Sequence, residues 1–167
     1  MPKRIRMSLR LSDENRAFPI TFIPAEKKHL YAMAEAVLDA YRDTIDYEGE
    51  DLEQTLDELK RVYKGSYGPL MEEASFLLME DNLVKAGVLV CLYRGEPTIT
   101  YTFTRKNEQR LGYATLLILK SAHELYRLGY HSLYLYVTVE NSSALRLYES
   151  LGFSEVPLTT VTEINID

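Results

Sequence analysis

Between Phe76 and Thr138 the chain passes from three closely spaced strand-like segments to one helix and then to a further strand. That order restricts the fold more than any other feature of the sequence. Phe76–Met79 and Val84–Tyr93 are separated by Glu80-Asp81-Asn82, a hairpin signal. Arg94-Gly95-Glu96-Pro97 makes the next turn, after which Ile99, Tyr101 and Phe103 alternate with threonines. From Gly112 the apolar period becomes helical, with Leu117, Ile118, Ala122 and Leu125 on one face and Gly129 as a stop. Leu133–Thr138 is one more strand. A helix joining the strands at 98–104 and 133–138 implies a parallel crossover beside the meander, so the expected fold class is α/β with a mixed sheet.

The flanking segments fill in the layers. Lys3–Leu11 alternates loosely, as an edge strand does, and Phe18, Ile20 and Phe22 repeat the period-two pattern up to Pro24. Lys27–Tyr41 has helical spacing through Leu30, Ala34, Val37, Leu38 and Tyr41. A second helix from about Asp51 shows Leu52, Leu56, Leu59 and Tyr63, and Gly65–Pro69 breaks it. Ser142–Leu151 reads as a short helix and Val156–Ile166 as a final strand region. At 167 residues the expectation is one domain over 1–167, with 1–16 as an N-terminal extension or edge strand.

Composition excludes several classes of function. Nineteen basic against 25 acidic residues give a net charge of −6, which argues against a partner held through nucleic-acid phosphates. The apolar runs are too short for a membrane span and the N-terminal stretch lacks the apolar block of a secretory signal, so a cytoplasmic protein is expected. The lone cysteine, Cys91, excludes an intramolecular disulfide, and in the apolar strand Val88–Leu92 it reads as a buried, inert thiol. His29, His123 and His131 fall at no metal-ligand spacing, so no metal is expected.

Two segments carry chemistry. In the first, a strand runs into Gln109-Arg110-Leu111-Gly112-Tyr113-Ala114 and then a helix. Gly112 and Ala114 let the backbone approach a ligand, while the unpaired N–H groups and dipole of the helix start favour phosphate oxygens. Arg105, Lys106 and Arg110 add positive charge there. By itself this also describes an ordinary strand-to-helix turn. The second is Asn141-Ser-Ser-Ala144-Leu-Arg-Leu147-Tyr148-Glu-Ser-Leu-Gly152-Phe153, a loop asparagine, a short amphipathic helix and a glycine stop. By itself it also describes a helix with a core tyrosine.

Together the two segments, Gln-x-x-Gly-x-Ala at a helix start and Asn-x-x-Ala-x-x-Leu-Tyr-x-x-x-Gly-Phe after the next strand, closely resemble the GNAT superfamily of N-acetyltransferases. The motifs cover about 98–153, and the element order over 18–166 also fits. The resemblance implies a mostly antiparallel central sheet with two splayed strands, at 98–104 and 133–138, and acetyl-CoA as co-substrate entering between them. It places Thr102, Phe103 and Thr104 on the strand edge that pairs with the pantetheine amides. Gln109, Arg110, Leu111, Gly112, Tyr113, Ala114 and Thr115 fall at the pyrophosphate loop, and Asn141 at a contact to the cofactor arm. Tyr148 matches the residue whose hydroxyl protonates the leaving thiolate. The implied reaction is direct attack of an amine on the thioester, with a backbone N–H on the strand at 98–104 polarising the carbonyl and no acyl-enzyme formed.

The sequence departs from the family at the base. Many members carry a glutamate on a splayed strand, where this chain has Thr98 and Tyr136, and Glu140, Glu96 and Asp81 are only loop acids. That departure keeps a second class open, a catalytically weak acyl-CoA-binding or sensing domain. From Asp43 to Glu58 stand eight acids without a Lys or Arg (Asp43, Asp46, Glu48, Glu50, Asp51, Glu53, Asp57, Glu58), flanked by Tyr47, Tyr63 and Tyr67. They read either as a solvated loop before a helix N-terminus or as an acidic rim for a cationic small-molecule or peptide amine. A homodimer that covers exposed sheet edges is expected by analogy.

Overall fold

The computed structural model describes residues 3–14 and 17–157. In chain order the elements are β1 (Arg4–Arg10), β2 (Ile23–Pro24), α1 (Leu30–Tyr41) after a 3-10 turn, α2 (Leu52–Lys64), β3 (Phe76–Glu80), β4 (Leu83–Tyr93), β5 (Glu96–Thr104), α3 (Tyr113–Arg127), β6 (Ser132–Thr138), α4 (Ser142–Ser150) and β7 (Ser154–Glu155). The seven strands form one sheet in the order β2-β3-β4-β5-β6-β1-β7. Every pairing is antiparallel except that of β5 with β6, the two strands joined through α3. The fold is thus the mixed α/β class expected.

Alternation along the strands sends side chains to two separate cores. Phe76, Leu78, Ala86, Val88 and Val90 join Leu133, Leu135 and Val137 of β6 beneath Leu117, Ile118 and Leu125 of α3 and Tyr148 of α4. Leu77, Leu89, Cys91 and Phe103 face the other way, under Met33, Ala34 and Val37 of α1 and Leu59 and Val62 of α2. β4 is covered on both faces, so it reads as a nearly continuous apolar run rather than an alternation. Gly87 is required there: a Cβ would stand 2.5 Å from the Phe103 ring and 2.7 Å from Leu77. Asp51 starts α2 with a reciprocal cap, accepting from Gln54 N at 2.8 Å while Gln54 Oε1 accepts from Asp51 N at 2.9 Å. Gly65, at φ 92°, ends it.

Two expectations change. β1 is no edge strand: it lies inside the sheet, paired from Arg4↔Thr138 to Arg10↔Ser132 with β6 and at Met7↔Glu155 with β7. Its two faces explain this, since Met7 is buried in the core while Arg4 and Arg6 lie over the rings of Tyr136 and Tyr134. The alternation at Phe18–Phe22 produces no strand; pairing starts only at Ile23, and Pro19 and Pro24 have no N–H for a ladder. Among the described residues the last strand is Ser154–Glu155; residues 158–166 of the expected final strand region Val156–Ile166 lie outside them. Among the described residues no helix is long and apolar enough to cross a membrane, and no group of three or more His, Cys, Asp or Glu is placed to hold a metal.

Candidate functional site

The site begins where two strands stop pairing. β5 and β6 are bridged only at Thr98↔Tyr134 and Ile99↔Leu135, which leaves Thr100–Thr104 and Tyr136–Thr138 without each other's hydrogen bonds. The register of β4 against β5 shifts between Leu89↔Tyr101 and Val90↔Ile99, so Thr100 is an extra residue on β5. Such a bulge bends its strand, and this one sits where β5 leaves β6. The two strands therefore splay from Thr100 onward, as the resemblance implies.

On the β5 side of the opening, Phe103 is buried, 3 % exposed, with its side chain in the core under α1 and α2 and its backbone opposite Gly87 of β4. Thr102 and Thr104 are half-buried. Gln109 Nε2 donates to the Thr104 carbonyl at 3.2 Å and ties the following loop to the strand end. Arg110 at φ 68° and Gly112 at φ 82° turn that loop into α3, whose N-terminus has no side-chain cap. The N–H groups of its first turn thus keep no helical partner. A Cβ on Gly112 would meet nothing within 4 Å, so the loop presents bare backbone to open space. Beside it Leu111 is 58 % exposed, and Tyr113, Ala114 and Thr115 are half-buried at the helix start.

The positive charge is distributed differently from expectation. Arg105 Nε donates to Val84 O at 2.7 Å. Lys106 is held by α1 and the loop after it, through Asp39 Oδ2 at 2.8 Å from its backbone N and Asp43 Oδ2 at 3.1 Å from its Nζ. Arg110 is the exposed cation of the turn itself.

On the β6 side, Asn141 caps α4, its Oδ1 accepting from Ala144 N and Ser143 Oγ at 3.3 Å. Its amide nitrogen has no partner among the described residues. Tyr148 is 8 % exposed and stands edge-on to Phe153, ring centroids 5.9 Å apart. Burial, and secondarily the charge of Asp46, push its hydroxyl up to about 12.

Sequence reasoning missed two residues here. Tyr41, counted on the inner face of α1, donates from its hydroxyl to the Thr102 carbonyl at 3.0 Å, inside the opening. Burial raises its pKa further than that of Tyr148, and the neighbouring Tyr148, Tyr101 and Asp46 act in the same direction. Asp46, one of eight acids in the run, accepts from Thr138 Oγ1 at 3.0 Å, so the loop between α1 and α2 is fastened to the end of β6. A helical pattern reports that Tyr41 faces inward but not which carbonyl it meets, and no local pattern separates Asp46 from its neighbours. Of the tyrosines flanking the acidic run, Tyr63 is a core residue with its hydroxyl on Ala25 O at 2.5 Å. Tyr67 bonds Glu58, and Tyr47 donates to Glu50 O at 2.9 Å. Thr98 is buried and turned to Glu96 O at 2.9 Å, and Tyr136 packs edge-on to Tyr93 at 6.4 Å.

Comparison with known proteins gives this geometry its place. Curated protein sequences yield no match. The fold, however, recurs in a GCN5-related N-acetyltransferase from Sphaerobacter thermophilus, with a TM-score of 0.71 and 20% identity over 93% of this chain and 50% of that one. The chain spans about half the length of that protein. The ribosomal-protein-S18-alanine N-acetyltransferase from Escherichia coli matches with a TM-score of 0.64 and 23% identity, over 82% of this chain and 79% of that one. The aminoglycoside N-acetyltransferase AAC(6')-Iy, solved with CoA, matches with a TM-score of 0.62 and 15% identity, over 87% of this chain and 95% of that one. The family model described as acetyltransferase (GNAT) family matches residues 30–153, which include both splayed strands, the α3 loop and Tyr148. The chain belongs to the GNAT acetyltransferase family.

Proposed function

We propose that the protein transfers the acetyl group of acetyl-CoA directly to an amine. The observation that carries this reading is the opening between β5 and β6, whose facing strand ends do not pair with each other and which is flanked by an uncapped helix N-terminus. An extended chain of amides can add to the β5 edge at Thr102, Phe103 and Thr104 as a strand would, using the second lone pair of the Thr102 and Thr104 carbonyls that accept from Tyr41 and Gln109. A pyrophosphate suits the N–H groups of residues 112–115, which the open side of Gly112 lets it approach. The amide nitrogen of Asn141 is a donor for the cofactor arm. Family membership and the CoA complex of the aminoglycoside enzyme support acetyl-CoA as the co-substrate.

In the reaction, the amine nitrogen bonds to the thioester carbon and the carbon–sulfur bond breaks. A backbone N–H of β5 stabilises the carbonyl oxygen as it takes on charge. Tyr148 gives its proton to the departing thiolate; its raised pKa keeps the phenol fully protonated at neutral pH. The step does not use Cys91, which is buried and whose thiol burial pushes up.

The test is thiol release from acetyl-CoA against a panel of amines, with wild type and Tyr148→Phe. Turnover by wild type that falls at least tenfold in the variant supports the reading. Acetyl-CoA binding without turnover on any amine replaces it with an acyl-CoA-binding domain.

A further inference from the structure

The acid run at 43–58 looks uniform in sequence, but its members are employed differently. Asp43 pairs with Lys106 at 3.1 Å, Asp51 caps α2, and Glu58 holds Arg61 and the Tyr67 hydroxyl. Glu50 accepts from Glu48 N at 3.1 Å. Asp46 alone among these is anchored across the opening, with Oδ1 on the Thr138 hydroxyl at the last residue of β6. Thr138 is itself buried, 7 % exposed, while Asp46 is an exposed residue, so one carboxylate oxygen is fixed and no described residue donates to the other.

We infer that Asp46 is the carboxylate that receives the acceptor, and that the acceptor is a primary amine arriving as its ammonium ion. This rests on the acetyl-transfer reading of the cleft. A carboxylate fixed on one oxygen offers the other to N⁺–H at little entropic cost. Thr138 ends β6 in the part that has left β5, so the bond to its hydroxyl puts Asp46 on the β6 wall of the opening. The ammonium loses one proton to solvent, which is the net proton that the reaction releases. The neutral nitrogen then attacks, the carbon–sulfur bond breaks, and the thiolate takes the Tyr148 proton. The second nitrogen proton passes to Asp46, because nitrogen becomes far more acidic once bonded to the carbonyl carbon. Asp46 gives it up through water to the Tyr148 phenolate, and both groups are reset.

S-(2-aminoethyl)-CoA and S-(2-hydroxyethyl)-CoA test this without knowledge of the natural acceptor, since they differ only in placing an ammonium or a hydroxyl near the sulfur. Calorimetry on wild type, Asp46→Asn and Thr138→Val, with acetyl-CoA as reference, gives the answer. Wild type is expected to prefer the aminoethyl compound by about tenfold, the size of one charge-assisted contact in a partly wet site. Asp46→Asn brings the two within about twofold, Thr138→Val falls between, and acetyl-CoA affinity is unchanged in both. No preference in wild type, or a preference that survives Asp46→Asn, overturns the assignment. Failure of wild type to bind acetyl-CoA overturns instead the reading of the cleft on which it stands.

Discussion

The two sides of the β5–β6 opening are built in different ways. The cofactor side is local: Thr102 to Thr115 is one stretch of chain in which strand end, turn glycine and helix start follow in order. The proposed acceptor side is assembled from afar, with Asp46 reaching Thr138 across 92 positions, and Tyr41 crosses 61 to reach the cofactor-side strand at Thr102. A local device keeps its geometry as long as its own backbone does. An assembled one depends on how α1, the loop after it and β6 are held together, and can therefore change acceptor without disturbing the cofactor. Both can be challenged by mutation.

The largest effect is expected at the local side. Gly112→Val should lower acetyl-CoA affinity at least a hundredfold by calorimetry, with far-UV circular dichroism unchanged. Valine is strained by about 1–2 kcal/mol at φ 82°, and its side chain fills the open approach. Retained affinity would remove the loop from the cofactor site.

Next comes Tyr148→Phe, which should cost kcat about 10²–10⁴-fold at unchanged acetyl-CoA affinity. Equal loss of both would make Tyr148 a packing residue of the cofactor pocket instead. Tyr41→Phe sharpens the contrast. It leaves the Thr102 carbonyl without its hydroxyl, so stability should fall by about 1–2 kcal/mol in urea titration.

Two smaller effects concern the burial that both sides share. Tyr148 and Tyr41, with Tyr63 and Tyr101, have pKa values raised chiefly by burial above the ordinary value near 10. Their folded form resists ionisation, so the stability they contribute is complete below pH ~10 and is lost as the pH rises toward 12 and beyond. Phenolate absorbance should therefore rise in two phases, exposed tyrosines first and these four only with unfolding. One smooth phase near pH 10 would show them accessible. Iodoacetamide should leave turnover within about twofold of the untreated enzyme, since Cys91 is buried and its thiolate disfavoured.

The same contrast explains what the sequence made legible. The meander, the helix from Gly112, the helix from about Asp51 and the short helix after Asn141 are each encoded in one contiguous stretch of chain, and all stand in the structure. β1 is the instructive miss. Its alternation showed a strand, but an apolar face at Met7 and an arginine face at Arg4 and Arg6 suit an edge in isolation. Only the rings of Tyr134 and Tyr136, 130 residues later, make that polar face tolerable inside a sheet. Asp46 was hidden for the same reason: its partner is supplied by another strand. Arg105 and Lys106 had the right charge, but Val84 and α1 already engage them.

The interior position of β1 has a consequence for how the protein comes into being. β1 is synthesised well before both of its neighbours, the strands at 132–138 and 154–155. During synthesis β3, β4 and β5 can pair as they emerge, while β1 waits with two unsatisfied edges and a half-apolar face. Joining it to β6 closes a loop of more than 120 residues, an entropic step that favours slow, late completion of the sheet. β6 is also one wall of the opening. The last contact to form would thus complete the wall that carries Thr138, and a nascent or partly unfolded chain would lack the acceptor side before it lacked the cofactor loop.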